Sequence, residues 1–390
     1  MERKYAVAVV TSTRADFGLL LPVLRRLQSD KAFSLRLVVT GAHLVPALGN
    51  TIDEITVSGI PVAEAIDIFG DDLNALAYKA TARALDGFAD YFMRTDPDLV
   101  LVLGDRYEIF AAAAAAAMCD VPVAHIAGGE TTAGAKDEFF RHCITKMSAL
   151  HFTAAEAYRR RVIQLGEQPD SVFFVGSLGA ENIMTLPVIP PRELSDSIGF
   201  DCGRPFLLCT YHPETLGGVG PRQGVSELLL ALGAVGMPCL FTAANADDGG
   251  TIINEGIENF CTGDPDYRLV KSLGAVRYLS AMRCCAAVVG NSSSAVVESP
   301  TLRKPSVNIG DRQKGRIMGA NTISCPCERG AIRAAIERAV SPAFADSIRD
   351  MESPYGKGDA SRAIVETIRR RLPTLTPKKD FYDIDFEVKA

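Results

Sequence analysis

The chain has 390 residues, of which 47% are hydrophobic and 23% charged, with a formal net charge of −6. These values are typical of a globular protein, and the length predicts two domains because single hydrophobic cores stop growing below this size. The mild acidity provides no basic stripe for a phosphate backbone, so nucleic acid is not an expected partner. No stretch reaches the ~18 apolar residues of a membrane span, and the N-terminal apolar run is too short for a signal peptide. We therefore expect a cytoplasmic protein with no membrane partner.

The ten cysteines have the setting of free structural thiols. Cys209, Cys239 and Cys284–Cys285 lie in apolar segments, where a thiol behaves as a small hydrophobe. Cys325-Pro-Cys327 holds the only close pair outside such a segment, and no second pair lies at zinc-site spacing. We expect neither a metal nor a cofactor.

The first half of the chain alternates predicted strands and helices. Residues 4–13 predict a buried strand, and 17–28 predict a helix with apolar residues at helical spacing. This alternation is typical of a doubly wound parallel sheet, and we assign it to a domain spanning 1–183. Further strands are predicted at 35–40, 62–68, 99–103, 121–126, 149–153 and 172–176, and helices at 73–94, 111–117 and 155–165.

The pattern restarts after a proline-rich stretch at 186–191, which we interpret as a linker. A second α/β domain is expected over 184–358, followed by a third segment, 359–390, with a helix at 360–371 and a mobile charged tail. Within the second domain, strands are predicted at 206–210, 238–242, 267–269, 286–290 and 306–309, and helices at 224–232 and 295–302.

Acidic side chains follow two neighbouring predicted strands of the first domain. Asp105 comes directly after the strand at 99–103 with Arg106 beside it, Glu130 follows the next strand, and Asp137 lies one loop later. Open parallel sheets bind ligands outside the carboxyl ends of their strands, so one site is expected. Like charges in one cleft shift each other's pKa, which predicts one acid and one base for moving a weakly acidic C–H proton. The alternative is structural ion pairing with Arg106 and Arg141.

Two side chains at strand ends have open interpretations. Arg14 lies in a loop that leads from the first strand into a helix, a natural anion site, and it is placed to meet a phosphate. A solvated arginine is the alternative, and no dinucleotide or Walker fingerprint accompanies it. His212 precedes a proline after a second-domain strand, where it is either a general acid or phosphate donor, or a structural histidine.

Serines 292 and 293 precede the predicted helix at 295–302 and offer hydroxyls and backbone amides to an anion, although serines also simply cap helices. Glu298 is placed to accept hydrogen bonds from a ribose diol, and Arg312 supplies a guanidinium suited to phosphate. Together with the arginines of the first domain, these residues predict a diphosphate site between two domains.

These motifs carry a family resemblance. The chain resembles the UDP-N-acetylglucosamine 2-epimerases, specifically their hydrolysing, sialic-acid-pathway branch, and the match runs in order along nearly the whole chain. The matching stretches are TSTRADFG (11–18), GDRYE (104–108), HIAGGE (125–130), GAKDEFFRHCITKMS (134–148), YHPE (211–214), AANAD (243–247), GNSSSAVVE (290–298) and NIGDRQKGR (308–316).

The resemblance implies a GT-B-like fold of two Rossmann-like domains, with the active site in the cleft and the C-terminal helix crossing back to the first domain. It implies a UDP-sugar substrate, a homodimer or homotetramer, and anti elimination of UDP followed by hydration of the glycal. The implied UDP-binding positions are Arg14, Asn245, Ser292, Ser293, Glu298 and Arg312.

The resemblance places catalytic carboxylates at Asp105 and Asp137. Several relatives carry a glutamate at the position of Ala127, so either Glu130 takes the third role or that role is absent. The expected catalytic set is Asp105, Arg106, Glu130, Asp137 and His212.

Four other functions stay open at this point. The hydrolysing branch includes enzymes acting on UDP-2,4-diacetamido-2,4,6-trideoxy sugars, and the segment 137–148 is the basis for preferring hydrolysis over a non-hydrolysing epimerase. A GT-B glycosyltransferase would need an acceptor, and a nucleotide-sugar sensor would leave its ligand intact. The cluster of carboxylates disfavours a sensor, because acidic groups facing an anionic ligand weaken its binding.

Overall fold

The computed structural model describes residues 3–45, 51–70, 77–131, 137–214, 219–244 and 249–385. The chain divides into two compact units: Met1–Asn182 with Gly358–Ala390, and Ile183–Lys357.

The first unit is built on a seven-stranded sheet of order β3-β2-β1-β4-β5-β6-β7, in which every paired strand is parallel. The Val- and Leu-rich strand β4 is buried along its whole length, as expected for a strand covered on both faces. The strands are β1 (Tyr5–Thr11), β2 (Phe33–Thr40), β3 (Val62–Ile66), β4 (Leu99–Leu103), β5 (Val123–Ile126), β6 (Leu150–Thr153) and β7 (Val172–Phe174).

Helices cover both faces of this sheet and create two apolar clusters. The alanines of α4 are almost all buried beside α3, because a helix with such small side chains can approach its neighbour closely. The helices are α1 (Arg14–Ser29), α2 (Ile52–Val57), α3 (Ala77–Thr95), α4 (Tyr107–Met118), α5 (Asp137–Met147), α6 (Glu156–Gln164) and α7 (Leu178–Thr185), which leads into the second unit.

The second unit repeats the design with a six-stranded parallel sheet of order β10-β9-β8-β11-β12-β13. Its strands are β8 (Leu207–Thr210), β9 (Cys239–Thr242), β10 (Tyr267–Val270), β11 (Ala287–Gly290), β12 (Ser306–Ile309) and β13 (Thr322–Cys325). Its helices are α8 (Pro191–Ile198), α9 (Pro221–Val235), α10 (Gly250–Cys261), α11 (Gly274–Cys284), α12 (Ser294–Val297), α13 (Arg329–Ala339) and α14 (Pro342–Ser347).

The C-terminal helix α15 (Ala360–Arg371) packs on α1 and adds Ile364 and Ile368 to the core of the first unit. The tail beyond it is attached to the same unit. Lys379 Nζ donates to the Ser148 carbonyl at 2.8 Å and to Glu167 at 2.7 Å, and the N–H of Tyr382 donates to the Gly166 carbonyl at 2.9 Å. The prediction of a mobile tail is therefore wrong for residues 379–382.

The strand order reverses between β1 and β4 in the first sheet and between β8 and β11 in the second. Such switch points are where open α/β sheets leave a crevice at the carboxyl ends of their strands. Most of the predicted site residues follow these strands or their neighbours.

The predicted α/β class of two parallel-sheet domains is confirmed. The sequence analysis did not predict one strand, β13, and eight helices, which are α2, α5, α7, α8, α10, α11, α13 and α14. All ten cysteines are free thiols. No described helix is both long enough and apolar enough to cross a bilayer.

Candidate active site

Arg141 lies at the centre of the acidic cluster in the first unit. Its side chain is only 4% exposed and forms an ion pair with Asp105. Nη1 of the same guanidinium donates to Oε2 of Glu138 at 2.8 Å and to the backbone carbonyl of Glu130 at 3.0 Å. One buried cation therefore joins the end of β4, the loop after β5 and the first turn of α5.

Asp137 is the first residue of α5 and lies within electrostatic reach of Asp105. Burial raises the pKa of Asp137, and the negative charge of Asp105 raises it further, against the opposing effect of Arg106 and Arg141. A carboxyl whose pKa is raised keeps its proton closer to neutral pH. Such a group can serve as an acid and, once ionised, as a stronger base than an ordinary aspartate.

Arg106 pairs with a carboxylate outside the predicted set. Its Nε and Nη2 donate to the two oxygens of Glu108 at 3.2 and 2.8 Å, and Glu108 is fully buried. The sequence left open whether the two arginines form structural ion pairs with the predicted carboxylates. Arg141 does so with Asp105, whereas Arg106 pairs with Glu108, which is outside the predicted set. The Arg106 side chain is 45% exposed, so part of the guanidinium remains accessible.

At the start of α1, the backbone amides that could bind an anion are occupied by a side chain of the same chain. The amides of Ser12 and Thr13 both donate to Oδ2 of Asp16 at 3.0 Å, so a carboxylate of the chain already occupies the position expected for an anion. Thr13 is the N-cap and Asp16 completes a capping box. Arg14 is the first helical residue, and its Nε lies 3.1 Å from Oε1 of Glu54.

In the second unit, Asn291 holds the residues that follow β8 and β12. Its side-chain Oδ1 accepts the backbone N–H of His212 at 2.7 Å, and its Nδ2 donates to the His212 carbonyl at 2.9 Å. The backbone carbonyl of Asn291 accepts from Arg312 Nη1 at 3.1 Å and from Gln313 Nε2 at 2.9 Å. Two predicted site residues, His212 and Arg312, are thus fixed around one buried asparagine.

The serine-rich turn after β11 differs from the prediction. The helix expected over 295–302 ends at Val297, because Pro300 disfavours helical conformation in the residue before it. A four-residue helix has little dipole, and its N-cap Ser293 makes no side-chain capping bond. The Ser292 hydroxyl accepts from Ser294 Oγ at 3.2 Å.

Glu298 caps the carboxyl end of α12. Its Oε2 is buried and has no hydrogen-bond partner within the described part of the chain. Burial raises the pKa of Glu298 to about 7, and the charge of Arg316 offsets part of that rise. A buried carboxylate oxygen without a partner is able to accept a hydrogen bond from a ligand.

The profile of the UDP-N-acetylglucosamine 2-epimerases matches residues 25–369. The chain belongs to the UDP-N-acetylglucosamine 2-epimerase family. It is 38% identical over 385 residues to the polysialic acid biosynthesis protein P7 of Escherichia coli, with 97% of each chain covered. It is also 38% identical over 324 residues to the hydrolysing GDP/UDP-N,N'-diacetylbacillosamine 2-epimerase of Campylobacter jejuni, which covers 82% of this chain and 84% of that one.

The fold of this epimerase-family member is also that of a solved relative. The crystal structure of UDP-GlcNAc 2-epimerase from Neisseria meningitidis bound to UDP-GlcNAc matches with a TM-score of 0.79. The match covers 94% of this chain and 100% of that one at 19% identity.

One predicted nucleotide contact and the expectation of no metal remain to be compared with the structure of this epimerase-family member. Asn245, the remaining predicted nucleotide contact, lies outside the described residues. Across the ranges that the structure describes, no group of three or more His, Cys, Asp or Glu side chains is arranged to hold a metal ion.

The predicted site set of this epimerase-family member does not include Arg141, which the sequence analysis named only as an ion-pair partner, or Asn291. Arg141 follows Glu138 by three residues on one helix, a spacing at which opposite charges meet, but its pairing with Asp105 depends on the sheet. Asn291 directly follows β11, and that position alone does not reveal which backbone its amide will bind.

Proposed function

We propose that this chain is a hydrolysing UDP-N-acetylglucosamine 2-epimerase, which converts UDP-GlcNAc and water to N-acetylmannosamine and UDP. The observation that carries the proposal is the acidic cluster around Arg141, in which Asp137 has a raised pKa beside Asp105. Family membership supports epimerisation at C2, and the hydrolysing activity for which the Campylobacter jejuni relative is named supports hydrolysis.

The proposed reaction has two steps. A carboxylate removes the C2 proton, the C1–O bond breaks, and UDP departs with the electron pair on the opposite face, leaving a glycal. Water then gives one proton to a carboxylate as its oxygen bonds to C1, and a carboxyl group delivers a proton to the other face of C2, giving free N-acetylmannosamine. We assign proton transfer to Asp105 and Asp137, with Glu130 as the third carboxylate and Arg106 as a charge-stabilising neighbour.

We assign UDP binding chiefly to residues of the second unit. Glu298 has a buried carboxylate oxygen for a ribose hydroxyl, and Arg312 brings a guanidinium for a phosphate oxygen. His212 supplies a further donor. The remaining proposed contacts are Arg14, Asn245, Ser292 and Ser293.

A second substrate is favoured by one comparison. The Campylobacter jejuni relative is named for GDP/UDP-N,N'-diacetylbacillosamine, whose sugar is a 2,4-diacetamido-2,4,6-trideoxy sugar, and it is 38% identical to this chain, as is the Escherichia coli relative. The chemistry at C1 and C2 is the same for both sugars. They differ at C4 and C6, so substrate preference is a property of the pocket around those two carbons.

Proton and phosphorus NMR of the purified protein in D₂O tests the proposal. With UDP-GlcNAc, we expect free UDP and N-acetylmannosamine carrying deuterium at C2. UDP-ManNAc in place of the free sugar would assign the chain to non-hydrolysing epimerisation. An unchanged UDP-GlcNAc spectrum, together with turnover of UDP-N,N'-diacetylbacillosamine, would move the assignment to the second substrate. Asp105→Asn is the inactive control that excludes a contaminating enzyme.

A further inference from the structure

His125, on β5, connects three segments that build the acidic cluster. Its side chain is fully buried and both ring nitrogens have partners. Nε2 lies 2.8 Å from the carbonyl oxygen of Gly104, and Nδ1 lies 3.2 Å from the hydroxyl of Thr145 on α5. The segment after β5 passes close by, because a Cβ on Gly128 would lie 3.0 Å from Nδ1.

The protonation state of this ring follows from its partners. A carbonyl oxygen can only accept, so Nε2 carries the hydrogen and donates it to Gly104. Burial lowers the pKa of His125 to about 3, so near neutral pH the ring is uncharged. Nδ1 then accepts the hydroxyl proton of Thr145, and the orientation of the imidazole is fully determined.

The contact with Gly104 bears directly on Asp105. The Gly104 carbonyl belongs to the peptide plane that ends at the Asp105 nitrogen, so a bond to that oxygen fixes the plane preceding the Asp105 Cα. The Gly104 N–H donates to the Ile126 carbonyl at 3.0 Å, and Gly104 has a φ of +81°. Residues of strand β5 therefore bind both the carbonyl and the N–H of Gly104, the residue with the left-handed conformation.

We propose that His125 is a positioning residue for the acidic cluster. Its Nε2–H fixes the turn that presents Asp105, and its Nδ1 ties this turn to the helix that carries Asp137. The side chain is not exposed and both nitrogens are engaged, so it acts through Asp105 and not on the substrate. The inference rests on the proposed function, since its catalytic readout is the elimination of UDP.

Two substitutions of His125 distinguish the contribution of Nε2 from that of Nδ1. A glutamine amide extends to the position of Nε2, and an asparagine amide extends only to that of Nδ1. We expect His125→Asn to lower kcat about 100-fold, the scale of a catalytic group displaced by ~1 Å, and His125→Gln to lower it less than tenfold. Calorimetry with UDP should show affinities within twofold of wild type for both, because the proposed UDP contacts lie chiefly in the second unit.

His151→Asn is the matched control. His151 lies opposite His125 on the adjacent strand β6 and is equally buried, but it contacts Glu167. We expect this variant to lose thermal stability while keeping kcat per folded molecule within threefold. Equal losses in His125→Gln and His125→Asn would overturn the positioning role and favour direct proton transfer. Wild-type kcat in a folded His125→Asn would also overturn it.

A readout independent of turnover separates this inference from the proposed function. Long-range ¹H–¹⁵N NMR of histidine-labelled protein should show the His125 ring protonated at Nε2 and not at Nδ1. This protonation state should not change between pH 8 and pH 5. The signals of this ring should be absent in His125→Gln. If the His125 ring is protonated at Nδ1, the inference is refuted whatever the activity of the protein. If the His125 ring has the expected tautomer but the protein leaves UDP-GlcNAc intact, only the proposed function is contradicted.

Discussion

The side-chain amide of Asn291 binds both backbone polar groups of His212, at 2.7 and 2.9 Å. His212 follows β8 and Asn291 follows β11, so the amide bridges the two strands at the switch point of the second sheet. Both residues are buried, and the bridge supplies hydrogen bonds to the N–H and the carbonyl of His212 at the end of β8.

Removing this bridge should weaken UDP binding. Asn291→Ala removes the two hydrogen bonds that the Asn291 amide makes with the N–H and carbonyl of His212, at a cost of about 0.5–1.5 kcal/mol for each bond. We expect the His212 turn to shift, the affinity for UDP to fall at least tenfold, and the protein to lose stability. Calorimetric titration with UDP and urea unfolding measure the two effects.

Asn321→Ala is the control for stability loss alone. Asn321 is also fully buried in the second unit, but its amide donates to Ser299 Oγ and to the Lys304 carbonyl. This variant should be destabilised with unchanged UDP affinity. Equal losses of UDP affinity in both variants would mean that the loss at Asn291 is a general effect of destabilisation.

The carboxylates should be essential for turnover and dispensable for UDP binding. We expect Asp105→Asn and Asp137→Asn each to reduce kcat at least 1000-fold while the UDP dissociation constant changes less than threefold. Asp120→Asn is the control, since Asp120 is exposed and has a φ of +55° that asparagine also tolerates. Full activity in both site variants would remove these two aspartates from the mechanism.

The charge of Asp105 should be visible in the titration of Asp137. Because that negative charge raises the pKa of Asp137, replacing it with a neutral amide should lower this pKa. Carboxyl ¹³C NMR of wild type and Asp105→Asn, with Asp137→Asn to assign the resonance, measures the change. An unchanged or higher pKa in Asp105→Asn would show that the two groups do not interact.

The sequence predicted the strands better than the contacts between their ends. Strand β4 and helix α15 have the predicted bounds, because a continuous apolar run and a helical repeat are local properties. The partners of Arg106 and Arg141 were open from the sequence, since a charge at a strand end has several carboxylates within reach. At the start of α1, Asp16 binds the backbone amides as a capping residue, an arrangement that the sequence analysis did not consider when it placed an anion near Arg14.

UDP affinity should depend on the ionisation of Glu298. With a pKa of about 7, this carboxyl is mostly protonated at pH 6 and mostly ionised at pH 8. Only the ionised form accepts hydrogen bonds through all its lone pairs, so affinity should rise by up to about tenfold over this interval. Calorimetry at both pH values measures the rise, and Glu298→Gln should abolish it while retaining the pH response of UDP itself.

Glu167 should stabilise the fold at neutral pH. Burial raises its pKa, but hydrogen bonds from His151, Lys146 and Lys379 outweigh burial and lower the pKa from 4.5 to about 2. A lowered carboxyl pKa contributes stability that is complete above pH 4.5 and disappears as the pH falls toward 2. The shift corresponds to about 3 kcal/mol.

Glu167→Gln should therefore lower the free energy of unfolding at pH 7, with the difference from wild type shrinking below pH 4. Urea unfolding across this pH range measures both. Glu366→Gln, at an exposed carboxylate on α15, should change little. A difference from wild type that stays constant with pH would assign the role of Glu167 to packing alone.

Because α15 and the Lys379 contacts belong to the first unit, that unit is built from two segments of the chain, one before and one after the second unit in sequence. A ribosome must make the whole second unit, roughly 175 residues, before the last part of the first unit emerges, which takes about 9–35 s at ~5–20 residues per second. During that time the apolar stripe of α1 that α15 later covers is exposed to water. The second unit is continuous in sequence and can complete its folding first. The first unit cannot complete its folding until the segment from Gly358 onward has been synthesised.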